Sequence, residues 1–204
     1  LKTFKNLGYI LIVVSNQSGI ARGYFTEADL NIFNNNMNEI LKKNGVEITE
    51  FYCCPHHPDG IGKYKKVCEC RKPNNKMIED AIEKYNIDRA KSYMIGDKIS
   101  DIGAGLKSNL KTVLVKTGYG LKDMEKIDKN DTLICENLKD FSEILKREKL
   151  NELMFEEFSK KVQIKNVVMD SRKVIKGSLF FAINNGNSYV KDVLDKGASL
   201  VIAD

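Results

Sequence analysis

Tyr9-Ile10-Leu11-Ile12-Val13-Val14-Ser15-Asn16-Gln17-Ser18-Gly19 sets the architecture of this chain. Its first six residues form a continuous apolar run, the pattern of a strand buried on both faces. Ser15 to Ser18 follow at once, so hydroxyl and amide groups stand at the carboxyl end of that strand. The arrangement returns downstream. Ser92 to Ile95 reads as a strand, and Gly96-Asp97-Lys98-Ile99-Ser100-Asp101 follows it. Between the two, Cys70-Arg71-Lys72-Pro73 opens a helix, with Pro73 suited to the first turn.

Outward from these segments, Leu1 to Leu7 reads as the last turns of a helix stopped by Gly8. Thr26 is a good N-cap, and Leu30, Phe33, Met37, Ile40 and Leu41 recur at helical spacing, which predicts the buried face. Asn44-Gly45 ends that helix. Glu47 to Cys53 reads as a strand, and Pro55 to Cys70 as an irregular insert. Met77, Ile78, Ala81, Ile82 and Tyr85 give the helix after Pro73 its apolar face. Ile99 to Ser108 follows as a helix, Thr112 to Val115 and Thr132 to Cys135 as strands, and Asn137 caps a helix towards Arg147. Strands alternating with helices define an α/β fold, a Rossmann-like parallel sheet whose ligands bind at the carboxyl ends of the strands.

Arg147 to Lys161 is charged and helical, without glycine or proline. After it the rhythm restarts. Val167 to Met169, Ser178 to Ile183 and Ser199 to Ile202 read as strands, and Tyr189 to Lys196 as a helix. The expected division is a domain over 1–147 and a second, small α/β domain fragment over 148–204.

The 204 residues carry a net charge of +5. The lysines are spread along the chain, which argues against a nucleic-acid partner. Tyr9 to Val14 is far too short to span a bilayer and lacks a signal-peptide cleavage site, so the expected location is cytoplasmic and away from membranes. Five cysteines in such a compartment point to metal or free thiols rather than disulfides. Leu1 is not methionine, and the last residues stop at an apolar strand. Both ends are expected to be cut.

The polar strand ends suit phosphate chemistry, which needs positioning and charge neutralisation above all. Ser15 can donate its hydroxyl to a phosphate oxygen, and the amides of Asn16 and Gln17 can assist in the turn. Lys72 supplies a fixed positive charge. Asp97 can hold Mg²⁺, a cation that prefers oxygen ligands. Asp101 can orient that shell, and Lys98 reaches towards the substrate. Separately, Cys54-Pro55-His56 and Cys68-Glu69-Cys70 offer three thiolates and an imidazole, a set that suits tetrahedral zinc with no open position. Such a metal is structural and pins the loop that delivers Arg71 and Lys72. Cys53 and His57 are adjacent alternates, and Cys135 reads as core.

The three polar segments resemble motifs II, III and IV of haloacid-dehalogenase-type phosphatases. Val14 to Gly23, Tyr52-Cys53-Cys54-Pro55-His56-His57-Pro58, Val67 to Pro73 and Tyr93 to Lys98 sharpen the likeness to the heptose-1,7-bisphosphate 7-phosphatase family, of which the zinc-bearing histidinol-phosphate phosphatases are relatives. The resemblance covers roughly residues 1 to 146. It implies a haloacid-dehalogenase-type sheet and a Mg²⁺-dependent hydrolase of a phosphorylated sugar. It also implies a catalytic set of Lys72, Asp97 and Asp101, a pocket lined by Ser15, Asn16, Gln17 and Ser18, and phosphates gripped by Arg71 and Lys72. The same family places zinc on Cys54, His56, Cys68 and Cys70. Its first motif, Asp-x-Asp-Gly-Thr, carries the nucleophile and is expected on a strand upstream of Leu1. The 204 residues alone are therefore expected to be inactive. The alternative is a pseudo-enzyme that has lost its nucleophile, a phosphate-binding module that regulates or scaffolds a cell-wall ligase attached to it.

Met169-Asp170-Ser171-Arg172-Lys173-Val174 and the run to Ala182, with Lys196 to Ile202, resemble the start of the Mur ligase family, in particular the enzymes that add the third amino acid. That likeness implies a UDP-MurNAc-peptide partner contacted by Ser171, with Asn184-Asn185-Gly186-Asn187 nearby. The ATP loop of those ligases is not among these residues. The plain alternative is a small α/β cap with an Asp-Ser-Arg turn, in which Asp170 merely caps and Arg172 pairs on the surface.

Overall fold

Gly8, at φ +89°, ends helix α1 (Lys2–Asn6) and turns the chain towards strand β1 (Ile12–Asn16). The apolar run starts three residues before the strand does. Tyr9 still donates its main-chain N–H to Phe4, at 3.0 Å, and lays its ring edge-on to Tyr93, 6.1 Å between centroids. In the computed structural model, residues 1–162, 165–182 and 186–203 are described. They fall into two compact units, Leu1–Lys146 and Arg147–Asp204.

In the first unit, β1 is followed by α2 (Ser18–Ala21), α3 (Glu27–Lys43) and β2 (Glu50–Cys54). Thr26 caps α3 reciprocally with Asp29, so the end read from sequence has a full capping box. The face differs from the expected one. Phe33 and Ile40 are exposed, while Leu30 and Asn34 are buried. The helix docks through an amide-bearing stripe. Asn38 holds the main chain of Ile48 by two bonds, accepting from its N–H at 2.8 Å and donating to its C=O at 3.1 Å. That grip occupies Ile48, and β2 begins at Glu50 rather than Glu47. Strands β1 and β2 run parallel, Ile12 beside Glu50 through Asn16 beside Cys54.

Helix α4 (Lys76–Tyr85) starts after a turn, three residues beyond Pro73, and buries Met77, Ile78 and Ala81. Then come β3 (Tyr93–Gly96), α5 (Ile99–Lys107), β4 (Lys111–Val115), α6 (Gly120–Asp123) and β5 (Thr132–Cys135). The three strands form a second parallel sheet in the order β3-β4-β5. Asn137 caps α7 (Leu138–Val162), accepting from the N–H groups of Lys139 and Asp140. The charged segment after Arg147 continues that helix without a break. Phe4, Val113, Cys135, Phe141 and Leu145 make one core cluster, and Ile78, Met94 and Ala104 another. Each large apolar side chain so buried contributes roughly 1.5–3 kcal/mol.

The second unit holds a parallel sheet, β6 (Asn166–Val168), β7 (Ser178–Ala182) and β8 (Leu200–Ala203), with α8 (Val190–Asp195) between the last two strands. Val174, Phe180, Ala182 and Val193 are its core. Ile183, expected in a strand, and Asn184-Asn185 lie outside the described residues. Among the described residues, no helix is long and apolar enough to cross a membrane.

Candidate functional site

Lys72 is the hub of the site in the first unit. Its side chain and that of Asp101 are each only 9% exposed, and their charged atoms meet at 2.8 Å. Its Nζ also donates to the carbonyl of Val14. The second carboxylate oxygen of Asp101 accepts the main-chain N–H of Lys98 at 3.1 Å, closing the first turn of α5. Asp101 is thus the counter-ion of Lys72, with both oxygens engaged. Gly96 permits this. A Cβ there would lie 2.3 Å from that of Asp101.

Asp97 directly follows β3 on the same rim. Its Oδ2 accepts the N–H of Tyr119 at 3.0 Å, and no described residue bonds its Oδ1. Gly118, at φ +62°, brings that amide in. A Cβ at position 118 would stand 2.2 Å from Asp97 Oδ2. Lys98 is exposed and rests over the Tyr119 ring, 4.0 Å from its centroid. A carboxylate with one oxygen tethered and the other open fits a hard cation such as Mg²⁺.

The β1 end meets this rim directly. The side chain of Asn16 brackets the Lys72 peptide, donating to its C=O and accepting from its N–H, both at 3.0 Å. Gln17 uses its main-chain N–H on Cys54 O at 2.8 Å and its side chain on Ser15 Oγ at 3.0 Å. The Gln17 amide is therefore committed to the sheet and not to the turn's interior. Ser15 accepts from Gln17 and keeps its hydroxyl proton for another acceptor. Ser18 opens α2. Sequence reasoning gave Asn16 an amide contact and missed its side-chain clasp. It also missed Gly118, although Gly118-Tyr119-Gly120 after a strand was the available signal.

Arg71 donates to the carbonyl of His56 at 3.2 Å, which ties it to the cysteine loop. There Cys54, His56, Cys68 and Cys70 present donor atoms all within 4.8 Å of one another. The sulfurs lie 3.0 to 3.5 Å apart and His56 Nδ1 is 3.3 Å from Cys70 Sγ. These are far longer than a disulfide of about 2.05 Å. They are somewhat tighter than the edges of a zinc tetrahedron built on bonds of about 2.3 Å. Burial, helped by the charge of Lys66, lowers the His56 pKa and favours the neutral ring a metal needs. The alternates are elsewhere. Cys53 sits 4.0 Å from Asn34 Nδ2, and His57 accepts the Asp59 N–H.

In the second unit Ser171 lies on a turn just beyond the carboxyl end of β6. Asp170 caps that turn and takes a two-pronged ion pair from Arg172, both contacts at 2.9 Å. Bonds from the Arg172 side chain and main chain hold the Asp170 carboxyl down at about 2. Arg172 itself is largely exposed. Lys196 reaches the Ser171 carbonyl at 3.3 Å.

Parallel strands with a hydroxyl, a buried lysine and a tethered carboxylate at their carboxyl ends define a hydrolase domain of the haloacid dehalogenase type. The family described as HAD-hydrolase-like matches residues 69–141. A D-glycero-β-D-manno-heptose-1,7-bisphosphate 7-phosphatase of Pasteurella multocida is 42% identical over 147 residues, 72% of this chain and 79% of that protein. Its counterpart in Haemophilus ducreyi is 46% identical over 123 residues, 59% of this chain and 68% of that protein. The chain belongs to this family of heptose-bisphosphate phosphatases. Among solved structures, the D,D-heptose 1,7-bisphosphate phosphatase of B. bronchiseptica, complexed with magnesium and phosphate, aligns with TM-score 0.64 and 32% identity. That alignment covers 71% of this chain and 78% of the other.

Proposed function

We propose that residues 1–147 form the phosphate-gripping part of a cytoplasmic, Mg²⁺-dependent phosphatase for a heptose bisphosphate. The observation that carries this reading is the buried Lys72–Asp101 pair at 2.8 Å, set between Ser15-Asn16 and Asp97. Lys72 offsets phosphate charge, and Asp101 fixes where that charge stands. Ser15 donates its hydroxyl to a phosphate oxygen, and Arg71 and Lys98 extend the cationic rim. Gln17 orients Ser15, and Ser18 borders the same loop. Asp97 Oδ1 would hold Mg²⁺, which when bound neutralises charge that develops on phosphate oxygens. Zn²⁺ on Cys54, His56, Cys68 and Cys70 would be structural, because four protein ligands leave no position for substrate.

The nucleophile of this chemistry is a carboxylate that attacks phosphorus while a second one protonates the leaving sugar oxygen. The Asp-x-Asp-Gly-Thr run that carries both does not occur in the 204 residues. The chain by itself is therefore a binder without turnover. Calorimetry tests the reading. Heptose 1,7-bisphosphate should bind in the presence of Mg²⁺, and Lys72→Ala should weaken it about a hundredfold, in line with a charge-assisted contact of about 3 kcal/mol. Equal binding by both proteins would overturn it.

Residues 148–204 read best as the start of a UDP-MurNAc-peptide ligase. Ser171, on a turn just beyond a strand's carboxyl end and beside the Asp170–Arg172 pair, would serve as a nucleotide-sugar contact of the kind parallel sheets offer. Uridine diphosphate titrated by NMR should shift Ser171 and Arg172. Unmoved signals at both would remove this part of the proposal.

A further inference from the structure

Helix α3 carries more apolar surface than its fold uses. Leu30 and Asn34 are its buried residues, and Asn38 holds Ile48. Ile32, Phe33 and Ile40 are each at least 60% exposed. Asp29, Phe33, Asn36, Ile40 and Lys43 follow one another at steps of four and three, so they form one stripe along the helix. Ile32 flanks that stripe, and all six side chains are exposed. From Leu30 to Asn38 no residue is charged. Apolar and amide side chains without charge are the composition of an interface centre.

The order of the stripe is self-complementary. It runs from an acid through apolar side chains to an amide, then through an apolar side chain to a base. Asp29 and Lys43 each stand seven residues from Asn36, about 10 Å of helix on either side. The helix macrodipole accounts for an acid in the first turn and a lysine in the last. It does not account for exposed apolar residues between them, or for an amide at the midpoint.

We propose that α3 is a self-association surface, on which two copies of this chain pack antiparallel about a two-fold axis at Asn36. Asp29 then meets the partner's Lys43 at both ends. Ile32 and Phe33 lie over the partner's Ile40, and Asn36 faces the partner's Asn36. Such a contact uses the same patch on both copies, and association stops at two. A paired amide within an apolar seam fixes its register. Parallel packing would instead set acid against acid and lysine against lysine, which disfavours it. Glu39 and Lys42 pair with each other on the flank, at 3.2 Å, and need no partner across the seam. A contact confined to one helix pair belongs at the small end of specific interfaces, below about 1,200 Å² in total, so the dimer is reversible. The pairing rests on α3 alone and is independent of the phosphatase reading.

Sedimentation equilibrium of the 204-residue protein tests it. The mass should rise with concentration from 23.1 kDa towards twice that value. Ile40→Glu sets a charge into the seam and should weaken association by about thirtyfold or more. Lys43→Glu places like charges at both ends and should weaken it about tenfold, an effect that fades at high salt. In a parallel pair that variant would behave as the parent does, since two lysines and two glutamates repel alike. Both side chains are exposed, so each variant should melt with the parent in dilute solution. A single species of 23.1 kDa up to about 1 mM, which means an affinity below about 4 kcal/mol, would overturn the dimer. Undiminished association of Ile40→Glu would do the same. Undiminished association of Lys43→Glu would overturn the antiparallel sense.

Discussion

Asn16 and Lys72 stand 56 residues apart, yet the side-chain amide of one makes both hydrogen bonds of a strand pair with the main chain of the other, each 3.0 Å long. The polar end of β1 and the loop before α4 are thereby clasped, and the Lys72 side chain is aimed at Asp101 from a fixed base.

Replacing Asn16 by alanine strands two partly buried main-chain groups. The expected loss is about 2–3 kcal/mol of stability, read by urea unfolding. Asn16→Asp keeps the acceptor but sets an oxygen against the Lys72 carbonyl, so it should be no better than alanine. Full stability of the aspartate variant would contradict the clasp.

Gly118→Ala addresses Asp97. The added methyl would stand 2.2 Å from Oδ2 in a backbone of positive φ, a strain of about 1–3 kcal/mol. Asp97 must move or release the Tyr119 amide. Mg²⁺-dependent phosphate-ester binding should fall about tenfold, while the cysteine loop keeps its metal. An unchanged affinity would show that the tether does not set the carboxylate.

Metal analysis of purified protein should find zinc at about one per chain, as one four-ligand site requires. Cys70→Ser should abolish it and lower the melting temperature, because metal binding is coupled to folding of such loops. Cys53→Ser should retain zinc. Loss from the Cys53 variant instead would transfer the ligand set by one residue.

Glu79 and Arg89 join α4 to the turn before β3 by contacts of 2.9 and 2.6 Å. Arg89's hydrogen bonds hold the Glu79 carboxyl at about 2, against an ordinary value of 4.5. A depressed carboxyl stabilises the fold above its unfolded value, and that contribution fades as pH falls from 4.5 through 2. Both side chains are more than a third exposed, so screening holds the effect to about 1 kcal/mol or less. The deficit of Glu79→Gln at neutral pH should therefore shrink on acidification. A deficit independent of pH would mean packing, not charge.

The apolar run at Tyr9 to Val14, the capping box at Thr26 and the polar strand ends made the α/β order legible, because each is encoded within a few residues. Phe33 and Ile40 misled because α3 docks through Asn34 and Asn38, and hydropathy spacing carries no sign of an amide that binds distant main chain. The four metal-binding candidates were legible from their paired spacing. The Asn16 clasp and the Gly118 approach to Asp97 were not, since both join segments far apart in sequence. The division of one continuous α7 between two units was equally hidden, as no glycine or proline marks it.

Cys70, Arg71 and Lys72 are consecutive, and all three are pinned: the first among the sulfur and imidazole donors, the second to His56, the third by Asn16 and Asp101. Such a run has no slack for a change of length. One residue inserted or deleted between Cys70 and Lys72 pulls one group off its partner. The preceding stretch is tied too, by the Ile61 N–H on the Ala21 carbonyl at 2.7 Å, the His57 N–H on the Tyr64 carbonyl at 3.1 Å and the Tyr64 hydroxyl on Glu27. Across related sequences, indels should be absent between Cys68 and Lys72.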